Sequence, residues 1–271
     1  MAGVVALEHD HAQAALSGAP GDGQADDTAP DNGHVECAGV VVAHWPSAIV
    51  AWRSCQTWTV SMRAQRLAGA RLYLVCDRPS AEFLDAVLLG GVDIVQLRMK
   101  DAGEPEILAG AQVVCAACRR HGALFILNDR PDLVEATRAD GVHVGQHDVP
   151  VAQARLAVGP DRIVGLSTHA PEQVDCAAGV DYIGVGPVFE TPTKPGRPAV
   201  GLELVSYAAA HARVPFFAIG GLNPANVGDV VRAGARRLAV VRALTQADDP
   251  RATAAALRRA AEAVEVHVGA A

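Results

Sequence analysis

From Arg71 onward, short apolar or β-branched runs alternate with Ala- and Leu-rich amphipathic stretches. Eight runs read as strands: Leu72–Val75, Val92–Leu97, Leu124–Leu127, Gly141–Val144, Arg162–Gly165, Tyr182–Val185, Pro215–Ile219 and Arg237–Val241. Residues 80–90, 104–121, 131–138, 150–158, 170–179, 202–212, 223–233 and 250–267 follow them with apolar side chains at helical spacing. Strict strand–helix alternation implies parallel strands, because a parallel pair needs a crossover connection. Eight such units in roughly 200 residues predict an α/β fold of the (β/α)8 type, a TIM barrel, over residues 67–271. A doubly wound open sheet is the alternative. It carries a Gly-rich turn after its first strand, and that turn here reads CDRPS.

Upstream of Met62 the pattern stops. Residues 17–34 read SGAPGDGQADDTAPDNGH, with no hydrophobic period, a composition that does not bury a core. Residues 1–61 are therefore expected to be an acidic, low-complexity extension, disordered or the product of a start assigned too early. A plain helical stretch, MRAQRLAGA, opens at Met62.

Charge follows the same division. Residues 1–61 hold seven acids and one base, Arg53, whereas residues 62–271 hold 22 bases and 23 acids. The net charge of -7 thus describes mainly the extension. Net acidity excludes a broad nucleic-acid-binding face. No apolar run reaches the roughly 18–20 residues that span a bilayer, and the N-terminus lacks the basic start of a secretory signal. The expectation is a cytoplasmic protein without membrane or nucleic-acid partners. Cys115 and Cys118 form a CxxC within an apolar helical pattern and read as buried small hydrophobes. The basic side chains are lopsided, 21 Arg and two Lys, and the two lysines are Lys100 and Lys194.

In a barrel of this kind the chemistry lies at the C-terminal ends of the strands. Strand two runs out through Gln96-Leu97-Arg98-Met99-Lys100. Alternation puts Gln96, Arg98 and Lys100 on one face and Leu97 and Met99 on the other. An amide and two cations projecting together suit a phosphate or diphosphate; the alternative is a solvated surface pair. Strand three ends in Asn128-Asp129-Arg130, and strand four leads through His143 and His147 to Asp148. Two carboxylates from adjacent strand ends, with a diphosphate nearby, suit Mg²⁺. Asp148 alone also reads as a helix N-cap, since Pro150 follows. His143 and His147 read as satisfied structural histidines, there being no third nitrogen or thiolate ligand at suitable spacing. Ser167 either caps the next helix or donates to a ligand. After strand six, Thr191-Pro192-Thr193-Lys194 lies in a long Gly/Pro-rich loop of the kind that binds anions. Strand seven ends at Gly220-Gly221 and strand eight at Val241-Arg242, where such barrels often bind phosphate. The residues alone point to a barrel handling two phosphorylated molecules.

Taken in order, QLRMK, LNDR, DGVHVGQHD, GLSTHA, GVGPVFETPTKPG and AIGGLN closely resemble the thiamine phosphate synthase family over about residues 67–271. The resemblance implies a Mg²⁺-dependent transferase of thiamine biosynthesis. It would join 4-amino-2-methyl-5-(diphosphooxymethyl)pyrimidine to a thiazole phosphate, releasing pyrophosphate. It implies pyrimidine diphosphate contacts at Gln96, Leu97, Arg98, Met99, Lys100, Asn128, Ser167 and Lys194, with Arg98, Ser167 and Lys194 catalytic. It implies thiazole phosphate contacts at Thr191, Pro192, Thr193, Gly221, Val241 and Arg242, and Mg²⁺ ligands at Asp129 and Asp148. A Ser often follows the aliphatic residue of the last motif, where this chain has Arg242. Three rivals share the fold: a thiazole tautomerase-like homologue, a Schiff-base aldolase using Lys100 or Lys194, and a barrel that binds phosphorylated ligands without turnover.

Overall fold

Eight parallel strands pair in chain order and close on themselves: β1 (Leu72–Cys76), β2 (Ile94–Leu97), β3 (Leu124–Asn128), β4 (Gly141–Val144), β5 (Ile163–Thr168), β6 (Tyr182–Val185), β7 (Phe216–Ile219) and β8 (Leu238–Val240). Closure is made by β8 against β1, with Leu72 opposite Leu238 and Leu74 opposite Val240. The computed structural model describes residues 62–191 and 198–263. The expectations placed on residues 1–61 and on Pro192, Thr193 and Lys194 lie outside the described residues.

The helices are α1 (Met62–Gly69), α2 (Ala81–Leu89), α3 (Glu104–His121), α4 (Val134–Thr137), α5 (Val151–Val158), α6 (Pro171–Asp175), α7 (Gly201–His211), α8 (Val227–Arg232), α9 (Arg242–Thr245) and α10 (Pro250–Glu262). Local chemistry sets several ends. Ser80 caps α2 by accepting from the Phe83 amide, Asp249 caps α10 by accepting from the Ala252 amide, and Gly122 closes α3 in the left-handed conformation. α8 starts four residues later than the apolar spacing suggests. Asn223 and Asn226 turn their side chains onto the backbone of 221–226 and hold that segment as a loop. α9 is an extra turn after β8 that the hydrophobic pattern does not mark.

Two cores result. Alternation along each strand sends one set of side chains outward against the helices. Leu72, Leu74, Val95, Leu97, Val142 and Val185 meet Leu84, Val114, Val205 and Leu257 there. The other set fills the barrel: Tyr73, Val75, Ile94, Leu124, Ile126, Ile163, Tyr182, Phe217 and Ala239. Leu67 and Ala70, on and just after α1, join this inner set, so the helix opened by Met62 plugs one end of the barrel. Cys115 and Cys118 are buried free thiols on α3, as their apolar setting implies.

A repeated device secures the N-terminal ends of the strands. Asp93, Asp140 and Asp181 each stand one residue before an even-numbered strand and accept backbone N–H groups from the preceding odd-numbered one. Asp93 takes Arg71 and Leu72, Asp140 takes Phe125, and Asp181 takes Val164. Each carboxylate also pairs with an arginine, at 2.6 Å to Arg258, 2.9 Å to Arg63 and 2.6 Å to Arg155 respectively. Charge-assisted hydrogen bonds of this kind are stronger than neutral ones. This use of Asp93 explains why β2 begins at Ile94 and not at Val92.

Candidate active site

The C-terminal ends of the strands open into one cavity of about 600 Å³. Gln96, Arg98, Asn128, His143, Ser167, Thr191, Gly221, Val241 and Arg242 all line it. These residues are contributed by β2 through β8 or the segments that follow them, so closure of the barrel brings them together from distant points in the chain.

Within β2 the alternation holds. Gln96 is only 4% exposed and lies inside, while Leu97 and Met99 pack on the outer core and stay out of the cavity lining. Any contact they make with a ligand is through the backbone. Lys100 continues to the end of β3, where Nζ stands 3.2 Å from Asp129 Oδ2 and 3.9 Å from Asp148 Oδ1. Asp129 has φ +59°, a left-handed backbone at the residue directly after cavity-lining Asn128. Burial pushes its carboxyl above the usual carboxylate range, and the neighbouring Asp148 pushes the same way; Lys100 pulls against both. Asp148 Oδ2 accepts from the Gly145 amide at 2.8 Å. Asp148 is therefore not the cap of α5, which begins behind Pro150 without a side-chain cap. Two carboxylates held together against their own repulsion form a donor set suited to a hard cation, with water or substrate oxygens completing the shell.

Ser167 lies within β5, which runs to Thr168, three residues beyond the end expected from its pattern. It caps no helix: α6 starts at Pro171 behind Ala170. Its Oγ is 2.9 Å from His143 Nε2, and its backbone carbonyl accepts from Gln146 Nε2 at 2.6 Å. His143 Nδ1 is in turn 3.0 Å from the Tyr182 hydroxyl, which is 2.8 Å from that of Tyr73. Gln96 Nε2 donates to the Tyr73 oxygen at 2.7 Å. His143 thus stands between Tyr182 and Ser167 with one ring nitrogen on each. The two tyrosines escape sequence reasoning. Their only signal is a hydroxyl-bearing ring in an otherwise apolar strand, at the inward parity. Gly165 makes room for them, since a Cβ there would overlap the Tyr182 ring.

The opposite wall is built from backbone. Gly220 and Gly221 follow β7 with φ +105° and +68°, conformations that favour glycine. A Cβ on Gly221 would come within 2.7 Å of Phe189 Cβ. Asn226 Nδ2 donates to the Gly221 carbonyl at 2.9 Å, and the Phe189 amide donates to the Gly220 carbonyl at 3.0 Å, tying this turn to the segment after β6. Val241 and Arg242 lead into α9, and Ala243 joins them on the cavity wall. A short extra helix after the last strand, beside a glycine turn after the seventh, is the common phosphate cradle of these barrels.

A closed parallel barrel with cations and paired carboxylates on one side of its mouth and a glycine turn with an arginine on the other belongs to the phosphate-handling (β/α)8 enzymes. Comparison with known proteins narrows the class. Residues 72–244 match the family model described as thiamine monophosphate synthase, so the chain belongs to that family. It is 53% identical to the thiamine-phosphate synthase of Thermobifida fusca over 72% of this chain and 94% of that protein. It is 50% identical to the thiamine-phosphate synthase of Mycobacterium marinum over 71% of this chain and 96% of that protein. A solved thiamine phosphate pyrophosphorylase from Pyrococcus furiosus superposes with a TM-score of 0.67 at 32% identity, covering 74% of this chain and 98% of that one.

Proposed function

We propose that this chain is a thiamine phosphate synthase, a transferase that joins 4-amino-2-methyl-5-(diphosphooxymethyl)pyrimidine to a thiazole phosphate and releases pyrophosphate. The identity of about half over nearly the whole length of the curated relatives carries this reading. The site chemistry supports it, because the cavity lining carries Arg98 beside Gln96 and Asn128 from the β2 and β3 ends and the Gly221 turn with Arg242 from the β7 and β8 ends.

Gln96, Asn128 and Ser167 hold the pyrimidine diphosphate with Arg98, Lys100 and Lys194 as its cations. Asp129 and Asp148 hold Mg²⁺. When bound, the ion supplies positive charge opposite the departing diphosphate. The thiazole phosphate lies against Gly221, the Val241–Arg242 backbone and the segment Thr191-Pro192-Thr193. The C–O bond at the pyrimidine methylene breaks first, and its electron pair leaves with pyrophosphate. The electron-rich aminopyrimidine stabilises the resulting positive charge at carbon. The lone pair of the thiazole nitrogen then forms the C–N bond. No proton changes hands in these steps, so the Ser167–His143 contact is not called on as a nucleophile–base pair, and positioning and fixed charge carry the rate.

No helix among the described residues is long and apolar enough to cross a membrane. Charged phosphorylated substrates cross bilayers poorly, so the reaction is assigned to the cytoplasm. The net charge of -7 gives no footprint for nucleic acid. The test is direct. The protein is incubated with both substrates and Mg²⁺, and thiamine phosphate and pyrophosphate are measured. Equimolar appearance of the two is expected; neither product forming would overturn the proposal.

A further inference from the structure

Five side chains from five strands cross the inside of the barrel in one line: Gln96 on β2, Tyr73 on β1, Tyr182 on β6, His143 on β4 and Ser167 on β5. Every link lies between 2.7 and 3.0 Å. Both tyrosines are fully enclosed, at 2% and 0% exposure. A buried hydroxyl proton left without an acceptor is costly, so the line must be read proton by proton.

The amide nitrogen of Gln96 can only donate, so the Tyr73 oxygen accepts. The proton of Tyr73 then goes to the Tyr182 oxygen. The proton of Tyr182 needs an acceptor in turn, and His143 Nδ1 stands 3.0 Å away. An imidazole nitrogen that accepts is unprotonated, which leaves the ring proton on Nε2. Nε2–H donates to Ser167 Oγ. Ser167 thereby receives a hydrogen bond, and its own hydroxyl proton is left for the cavity that it lines.

We infer that Tyr73, Tyr182 and His143 form a one-directional hydrogen-bond line, anchored at Gln96, that fixes Ser167 as a proton donor toward the anionic ligand. His143 and the two tyrosines are positioning residues, acting on the substrate only through Ser167. Reversed, the same line would turn the Ser167 proton onto His143 and aim oxygen lone pairs at a diphosphate, which would repel it. The direction of an amide three strands away thus decides whether the serine attracts or rejects the leaving group. Aromatic packing keeps the line straight. Tyr73, Tyr182 and Phe217 meet edge-on at 5.3–5.9 Å, and His143 stacks on Tyr182 at 5.5 Å.

The role given to Ser167 rests on the proposed activity, whereas the direction of the line does not. The two are tested apart. Nitrogen-15 NMR of the full chain without substrates reads the His143 tautomer. The Nε2–H form is expected to dominate, and a dominant Nδ1–H form would overturn the inference whatever the protein catalyses. In Tyr182→Phe the Nε2–H preference is expected to weaken. With the two substrates, kcat should fall about tenfold while KM for the pyrimidine changes less than threefold. An unchanged tautomer together with unchanged kcat in that variant would also overturn it. Should the wild-type chain release no pyrophosphate, the activity fails while the tautomer result stands on its own.

Discussion

Lys100 reaches from the end of β2 to place its ammonium 3.2 Å from the carboxylate of Asp129 at the end of β3. The contact offsets only part of what burial and Asp148 impose on that carboxylate, whose pKa is raised on balance. The charged form of Asp129 thus carries a net cost in this setting. In the proposed enzyme that cost is returned when a divalent ion binds.

Asp129→Asn removes the charge and keeps the shape. Asn also tolerates the left-handed backbone found there better than most residues. The metal-free variant is expected to melt at or above the wild-type temperature while Mg²⁺-dependent turnover is lost. The pH dependence has a definite sign. A raised folded-state pKa means that the folded chain binds this proton more tightly than the unfolded one. Its contribution to stability is therefore greatest below about pH 4 and is lost as pH rises through the folded value. Asp129→Asn should remove that loss in calorimetry of the metal-free protein. A variant less stable than wild type at neutral pH would refute the balance of charges described.

Gly165→Ala forces a methyl group into the ring of Tyr182. Overpacking of this kind costs about 1–3 kcal/mol, to be read from denaturant midpoints. Activity should fall further than stability explains, because displacing Tyr182 breaks the line that ends at Ser167. A variant with wild-type midpoint and rate would show that the barrel accommodates the extra carbon.

Arg242→Ala tests which part of residue 242 matters. Arg242 lines the cavity along with the glycine turn. Loss of one charge-assisted contact to a phosphate corresponds to about a tenfold to hundredfold rise in KM for the thiazole phosphate, with kcat nearly unchanged. Identical KM values would assign the contact to the backbone alone.

Lys194→Ala removes a cation assigned to the pyrophosphate. A drop in kcat of about a hundredfold, with the thiazole KM preserved, is expected from losing charge stabilisation of a leaving group. Lys194→Arg should rescue only partly, since a planar fork does not follow a departing group as a compact ammonium does.

The barrel was legible in the chain because its signals are local. Each buried parallel strand is a short apolar run, each helix carries its own period, and the order of the two dictates closure. The grouping at the ends of β2, β3 and β4 was legible too: Gln96, Arg98 and Lys100 share one parity, Asp129 directly follows β3, and Asp148 lies four residues past β4. What lay hidden is pairing across the barrel. Tyr73 and Tyr182 are 109 positions apart, and nothing near either names the other. Ser167 was placed beyond its strand because Gly165 and Ser167 interrupt the apolar run, although the backbone ladder continues to Thr168. The three aspartates before β2, β4 and β6 carry no local sign of their clamps, since the amides they accept lie 15 to 22 residues upstream.

Those clamps divide the barrel unevenly. Aspartate side chains tie β1 to β2, β3 to β4 and β5 to β6, but the residue before β8 is Arg237, whose side chain cannot accept and whose backbone carbonyl alone takes the Ala218 amide of β7. Taken two by two, the ring is therefore three riveted pairs and a fourth, the β7–β8 seam, joined by backbone hydrogen bonds alone among the described residues. Amide exchange should be fastest along that seam. The loops that it carries at its far end are the glycine turn and α9, so the pair without a rivet is the one beneath the proposed thiazole phosphate cradle.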